Sequence, residues 1–254
     1  MRFLLTNDDG IDAPGLALLA RVAGRLGEVF VVAPDGERSA VSRGLSLYQP
    51  LRLHERRPGW FACDGTPADA IYVALHHLQL APDLVLSGIN PGPNLGHDIH
   101  YSGTVAAALE AAWHGVPALA LSHDSRDTAF FATMDQRLET LLRALLALPL
   151  TSALALNVNL PSAARGPWRG VRLTTVGSRR YSTEVIQRAD PRGRPYLWLG
   201  GAQVTMADVP GSDCNALADG QVSVTPLGDD LCLHDRLADL QAALGDAAST
   251  SMQD

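Results

Sequence analysis

Residues 3–6, Phe-Leu-Leu-Thr, form a short apolar run that ends abruptly in Asn7-Asp8-Asp9-Gly10. The run is apolar without alternation, which suits a strand buried on both faces of a parallel sheet. Its carboxyl end then carries two adjacent carboxylates. In open α/β sheets ligands bind at that edge, and paired acids there suit a hard divalent cation such as Mg²⁺ or Mn²⁺. A simple Asp-Asp-Gly turn satisfies the same residues, so other segments must decide.

Downstream, the pattern repeats. Pro14 fits a first helical turn, Leu16, Leu19, Val22 and Leu26 recur at helical spacing, and residues 29–33 form a second buried-type strand. Strand, helix, strand is a βαβ unit. A long polar connection over 34–46 leaves from the edge that holds Asp8 and Asp9, which brings Ser39 and Ser42 forward as candidates. Residues 47–55 and 60–63 predict a hairpin. Thr66, Pro67 and Asp69 have the spacing of a capped helix start. A helix cannot turn both His76 and His77 to one face, so that pair is no metal site.

Strand 84–87 runs into a loop over 88–104 rich in Gly, Pro and Asn, where backbone can approach a ligand closely. Residues 104–113 read as helix, so Ser102 and Thr104 stand at a helix start. Such a place attracts phosphate, and a serine there also serves as a plain N-cap. A strand over 118–122 and a long helix over 129–148 continue the alternation. Beyond them come strands over 154–160 and 171–176, a hairpin pairing 181–187 with 196–199, a strand over 221–226 and a helix over 235–244. The fold class expected is α/β, Rossmann-like, with a mostly parallel sheet flanked by helices and a projecting β-hairpin. Residues from Asp246 onward are expected to be mobile.

Composition narrows the partners. A net charge of −7 opposes nonspecific grip on a nucleic-acid polymer, and no apolar run has the length of a membrane span. Three cysteines without Cys-x-x-Cys spacing, and a start lacking a signal-peptide pattern, suit a cytoplasmic protein. An anionic substrate would need a metal ion to supply local positive charge.

Taken together, Asn7-Asp8-Asp9-Gly10, Ala33-Pro34 with Arg38-Ser39, Gly65-Thr66-Pro67, Ser87-Gly88-Ile89-Asn90 with Gly92, Asn94 and Gly96, and Tyr101-Ser102-Gly103-Thr104-Val105 resemble the SurE family, the stationary-phase survival nucleotidases. The likeness is close over the first 125 residues and looser through Asp190-Pro191-Arg192-Gly193 and residues 222–226. It implies a metal-dependent phosphohydrolase of nucleoside 5′- and 3′-monophosphates, and of short polyphosphate, working through a metal-activated water. It implies one divalent ion per subunit, Mg²⁺ or Mn²⁺, held by Asp8, Asp9, Ser39 and Asn90. Asp8 or Asp9 would also accept the water proton, while Asn94, Ser102, Gly103 and Thr104 would contact phosphate.

The resemblance further implies a Rossmann-like catalytic core over 1–150 and a completing segment over 151–245. That segment would carry the hairpin and a C-terminal arm exchanged within a homodimer or homotetramer, ahead of the tail over 246–254. Arg43 and His97 depart from the family pattern and bear on substrate choice. The alternative function is a nucleotide- and metal-binding protein without turnover. A covalent aspartyl nucleophile at Asp8 is disfavoured because Gly10 stands where that chemistry needs a second acid.

Overall fold

A computed structural model describes residues 1–200 and 204–251. Strand β1 (Arg2–Thr6) leads into helix α1 (Pro14–Ala23), followed by β2 (Glu28–Pro34), β3 (Leu53–Arg57), β4 (Trp60–Cys63) and α2 (Pro67–His76). Then come β5 (Leu84–Pro91), α3 (Gly103–Trp113), β6 (Ala118–His123), α4 (Asp135–Leu146), β7 (Ala155–Leu160) and β8 (Val171–Leu173). The chain ends with β9 (Arg179–Tyr181), β10 (Val185–Ala189), β11 (Pro195–Leu199), β12 (Val204–Met206), α5 (Asp213–Ala218), β13 (Val222–Leu227) and α6 (His234–Ser251). A nine-stranded sheet runs β3-β4-β2-β1-β5-β6-β7-β13-β8, parallel from β4 through β7, with β3 antiparallel at one end and β13 antiparallel to β7. It therefore takes strands from both halves of the chain.

The apolar run of β1 is buried on both faces, as its composition predicts. Phe3 and Leu5 pack with Leu16 and Leu19 of α1 and Leu138 and Leu142 of α4. Leu4 faces the other way, onto Ile71 of α2 and Val105, Ala108 and Ala111 of α3. Each such burial contributes roughly 1.5–3 kcal/mol. Two layers of helix on one sheet follow directly from this alternation. The alanines of α3 let that helix lie close. Gly15 does the same for α1, because a side chain there would begin 2.0 Å from the Ile89 carbonyl oxygen.

Helix starts behave as their sequences predict. Thr66 caps α2 and accepts from the Asp69 amide at 3.1 Å, while Asp69 accepts from the Thr66 amide at 2.9 Å. The continuous helix expected over 129–148 is instead a 3-10 turn (Thr128–Thr133) followed by α4. Asp127 caps that turn through the Ala129 amide at 2.9 Å, and buried Phe131 and Met134 draw it inward, so the helical register restarts at Asp135.

The projecting arm also differs in register. Val185 pairs with Leu199 and Gln187 with Leu197, but Tyr181 belongs to β9 and pairs with Val204 of β12. The arm thus has two tiers separated at residues 182–184. Val185, Tyr196, Leu197, Trp198 and Leu199 on it are exposed, as are Leu237, Leu240 and Leu244 of α6. Helix α6 reaches Ser251, inside the expected tail, whose residues 252–254 lie outside the described residues. Among the described residues no helix is long and apolar enough to cross a membrane.

Candidate active site

The carboxyl ends of β1 and β5, the 34–46 connection and the start of α3 surround one cleft of about 770 Å³. Asp8, Asp9, Ser39 and Asn90 all line it, and so do Asn94 and Ser102. Residues scattered over 94 positions of sequence therefore meet because each stands at the same sheet edge.

Asp8 is the most constrained. It is buried, and its Oδ1 accepts from the Thr104 hydroxyl at 2.5 Å. Gly103 lies directly behind it: an added Cβ would fall 2.9 Å from the Asp8 Cβ. Burial pushes the Asp8 carboxyl above its usual range, opposed by the Thr104 hydrogen bonds. Asp9 is pushed up to about 7, by burial first and then by the charges of Asp8 and Glu37. Its Oδ2 is buried without a hydrogen-bond partner among the described residues. Carboxylates so disfavoured as bare anions, with an orphaned oxygen, fit a divalent cation that would satisfy both charge and lone pair.

The neutral oxygens are held with equal care. Ser39 donates to Glu37 at 2.8 Å, and its loop is fixed by the Arg38 amide on the Asp8 carbonyl at 2.7 Å and by Ser42 on the His100 carbonyl at 2.7 Å. Ala40 and Ser42 in that loop take left-handed φ values of 58° and 53°. Such backbone is costly for L side chains and persists only where surroundings impose it. Asn90 donates its amide to the Gly92 carbonyl at 2.6 Å, which leaves its side-chain oxygen for ligation.

Asn94 is clamped from β6 and β7. Its amide reaches Asn159 Oδ1 at 2.8 Å, its carbonyl accepts from Asn157 at 2.8 Å and Asn159 at 3.0 Å, and its Nδ2 donates to Ser122 at 2.8 Å. None of these bonds uses its side-chain oxygen. Ser102 is the N-cap of α3, accepting from the Val105 amide at 3.1 Å. The plain cap is thus realised, and Ser102 still faces the cleft. Gly103 and Thr104 stand behind Asp8 rather than on the cleft wall.

Arg43 and His97 also lie away from the wall. Arg43 binds Glu110 at 2.7 Å and Asp229 at 2.5 Å, while His97 is exposed with Nδ1 3.3 Å from the Arg179 carbonyl. Among the lining residues that escaped the sequence analysis are Glu37, Arg126 and Arg179. Arg179 is paired with Asp98 and packs 5.3 Å from the Tyr181 ring, at the base of the arm. The edge rule that found Asp8, applied after β6, points to Arg126. No local signal announces Arg179.

A sequence profile of the family described as Survival protein SurE matches residues 3–183. A protein named 5′-nucleotidase SurE from Anaeromyxobacter sp. (strain Fw109-5) is 52% identical over 89% of each chain. Its namesake from Myxococcus xanthus (strain DK1622) is 48% identical over 94% of this chain and 92% of that one. The crystal structure of the SurE protein from Aquifex aeolicus matches with a TM-score of 0.82 at 34% identity, covering 96% of this chain and 100% of that chain. Matched by the family profile over residues 3–183 and about half identical to these relatives along most of its length, this chain belongs to the SurE family.

Proposed function

We propose that this protein is a metal-dependent phosphomonoesterase that releases phosphate from nucleoside 5′-monophosphates, with 3′-monophosphates and short polyphosphate as further substrates. The observation that carries the reading is the pair of adjacent carboxylates, buried Asp8 and half-buried Asp9, sharing a cleft with Ser39 and Asn90. The names of the relatives support the choice of nucleotide.

Asp8, Asp9, Ser39 and Asn90 would hold one Mg²⁺ or Mn²⁺. When bound, such an ion polarises a phosphate oxygen and acidifies water beside it. Around it, Asn94 and Ser102 orient the phosphate, and the amino-terminal end of α3 offers the positive end of its dipole. Arg126 and Arg179 add fixed positive charge to a protein that is acidic overall. Asp9 is the better proton acceptor of the pair, since its Oδ2 is unpartnered whereas Asp8 Oδ1 is held by Thr104. The exposed apolar rows of the arm and of α6 support assembly into a homodimer or homotetramer. Three free cysteines suit a reducing cytoplasm.

The test is phosphate release from 5′-AMP, 3′-AMP and a short polyphosphate, with Mn²⁺ or Mg²⁺ and with EDTA. Turnover should need metal and fall by at least about 10²-fold in Asp8→Asn, the scale of removing one group that stabilises transition-state charge. Nucleotide binding with no release from any of the three would instead support a binding protein without turnover.

A further inference from the structure

The loop that leads into α6 gathers three metal-ligating side chains well away in sequence from the acids of β1. One ligand atom from each of Asp230, Cys232 and His234 lies within 4.8 Å of the others. The loop is already arranged around the carboxylate. Asp230 Oδ1 accepts from the Cys232 amide at 2.8 Å, and Oδ2 stands 2.5 Å from His234 Nε2. All three residues are exposed, so a hydrated ion reaches them without opening the core. Cys63 and Cys214, by contrast, are buried.

One oxygen, one sulfur and one nitrogen make a donor set unlike the all-oxygen set of the cleft. Mg²⁺ and Ca²⁺ select against thiolate and imidazole, whereas Zn²⁺ takes all three donors. The carboxylate and a thiolate bring two negative charges, which outweigh the unfavourable positive end of the α6 dipole at His234. Neighbouring Asp229 is committed to Arg43, and Arg43 to Glu110 on α3. The root of α6 is therefore tied to the core beside the three ligands.

We propose that Asp230, Cys232 and His234 form a second metal site for a borderline-soft divalent ion of the zinc class, with water completing the coordination. The ion would lock residues 230–234 into one conformation and so brace the direction in which α6 leaves the core.

The test uses the full chain, reduced, stripped of metal and held in excess Mg²⁺ to fill the oxygen site, then titrated with Co²⁺. Thiolate bound to Co²⁺ gives a near-ultraviolet charge-transfer absorption that oxygen ligands do not. The expected result is a saturable band, displaced by Zn²⁺ and lost in Cys232→Ser. In His234→Gln the thiol remains, and affinity should fall by more than the roughly 10–100-fold that loss of an outer partner costs. No band, a band that survives Cys232→Ser, or an unchanged affinity in His234→Gln would each overturn the proposal. None of these readouts depends on phosphate release.

Discussion

The strand-edge cleft and the two-tiered arm are built on opposite terms. In the cleft, Asp8 and Asn94 are buried and each is fixed by partners from other elements: Asp8 by Thr104, and Asn94 by Ser122 through its side chain and by Asn157 and Asn159 through its backbone carbonyl. In the arm, large apolar side chains such as Trp198 and Leu199 are exposed on a two-stranded ribbon. A two-stranded ribbon has no core of its own. The cleft thus holds polar groups against their cost of burial, whereas the arm leaves apolar area over, the kind of surface that suits association.

The contrast breaks most directly at Gly103. Gly103→Ala puts a methyl 2.9 Å from the Asp8 Cβ and 3.1 Å from Pro67 Cγ, both within the buried wall. Overpacking of this kind costs about 1–3 kcal/mol. Because the atom displaced belongs to a carboxylate proposed to hold the metal, we expect at least tenfold lower phosphate release, on the order expected for a small misplacement of reacting groups. Calorimetry should show weaker Mn²⁺ binding, and near-normal metal affinity would refute the close coupling of helix and acid.

A smaller effect sharpens the same point through pH. Asp9 sits at about 7 in the metal-free fold, above the ordinary 3.8, so it is the neutral form that folding favours. As pH rises from about 4 towards 7, the metal-free chain must carry an unfavourable charge there and its stability falls. An ion held at Asp9, as proposed, would remove that penalty. The gain in melting temperature on adding Mn²⁺ should therefore grow across this window and level off above it, and Asp9→Asn should flatten the trend.

The smallest effect on turnover is expected from the other region. Leu237→Ser with Leu240→Ser should lower the assembly mass seen by light scattering while leaving phosphate release per chain nearly unchanged. A matching loss of activity would mean that assembly completes the cleft.

How far these regions are legible in sequence follows from the range of their interactions. The acids of β1, the capping box of Thr66 and Asp69 and the cap at Ser102 are set within a few residues, and their patterns declare them. Asn157 and Asn159 read only as polar interruptions of a strand, because their partner Asn94 lies 63 and 65 positions away. Arg179 is silent for the same reason, its partner Asp98 being 81 positions distant. In the arm, apolar residues on both strands admit more than one pairing, so the alternation predicts a hairpin without its register. Helix 129–148 fails differently: a continuous helical period does not reveal the cap at Asp127 that starts a tighter turn.

The bond between Asp8 and Thr104 joins residues 96 positions apart. On a ribosome adding about 5–20 residues per second, the first acid is made roughly 5–20 seconds before the helix that receives it. Through that interval the carboxylate remains a solvated side chain on an unfinished chain, with an ordinary affinity for proton and cation. Its buried, Thr104-bound environment begins only when α3 arrives, so capture of the proposed ion would be timed by synthesis of the second βα unit beyond it and not by the order of the motifs.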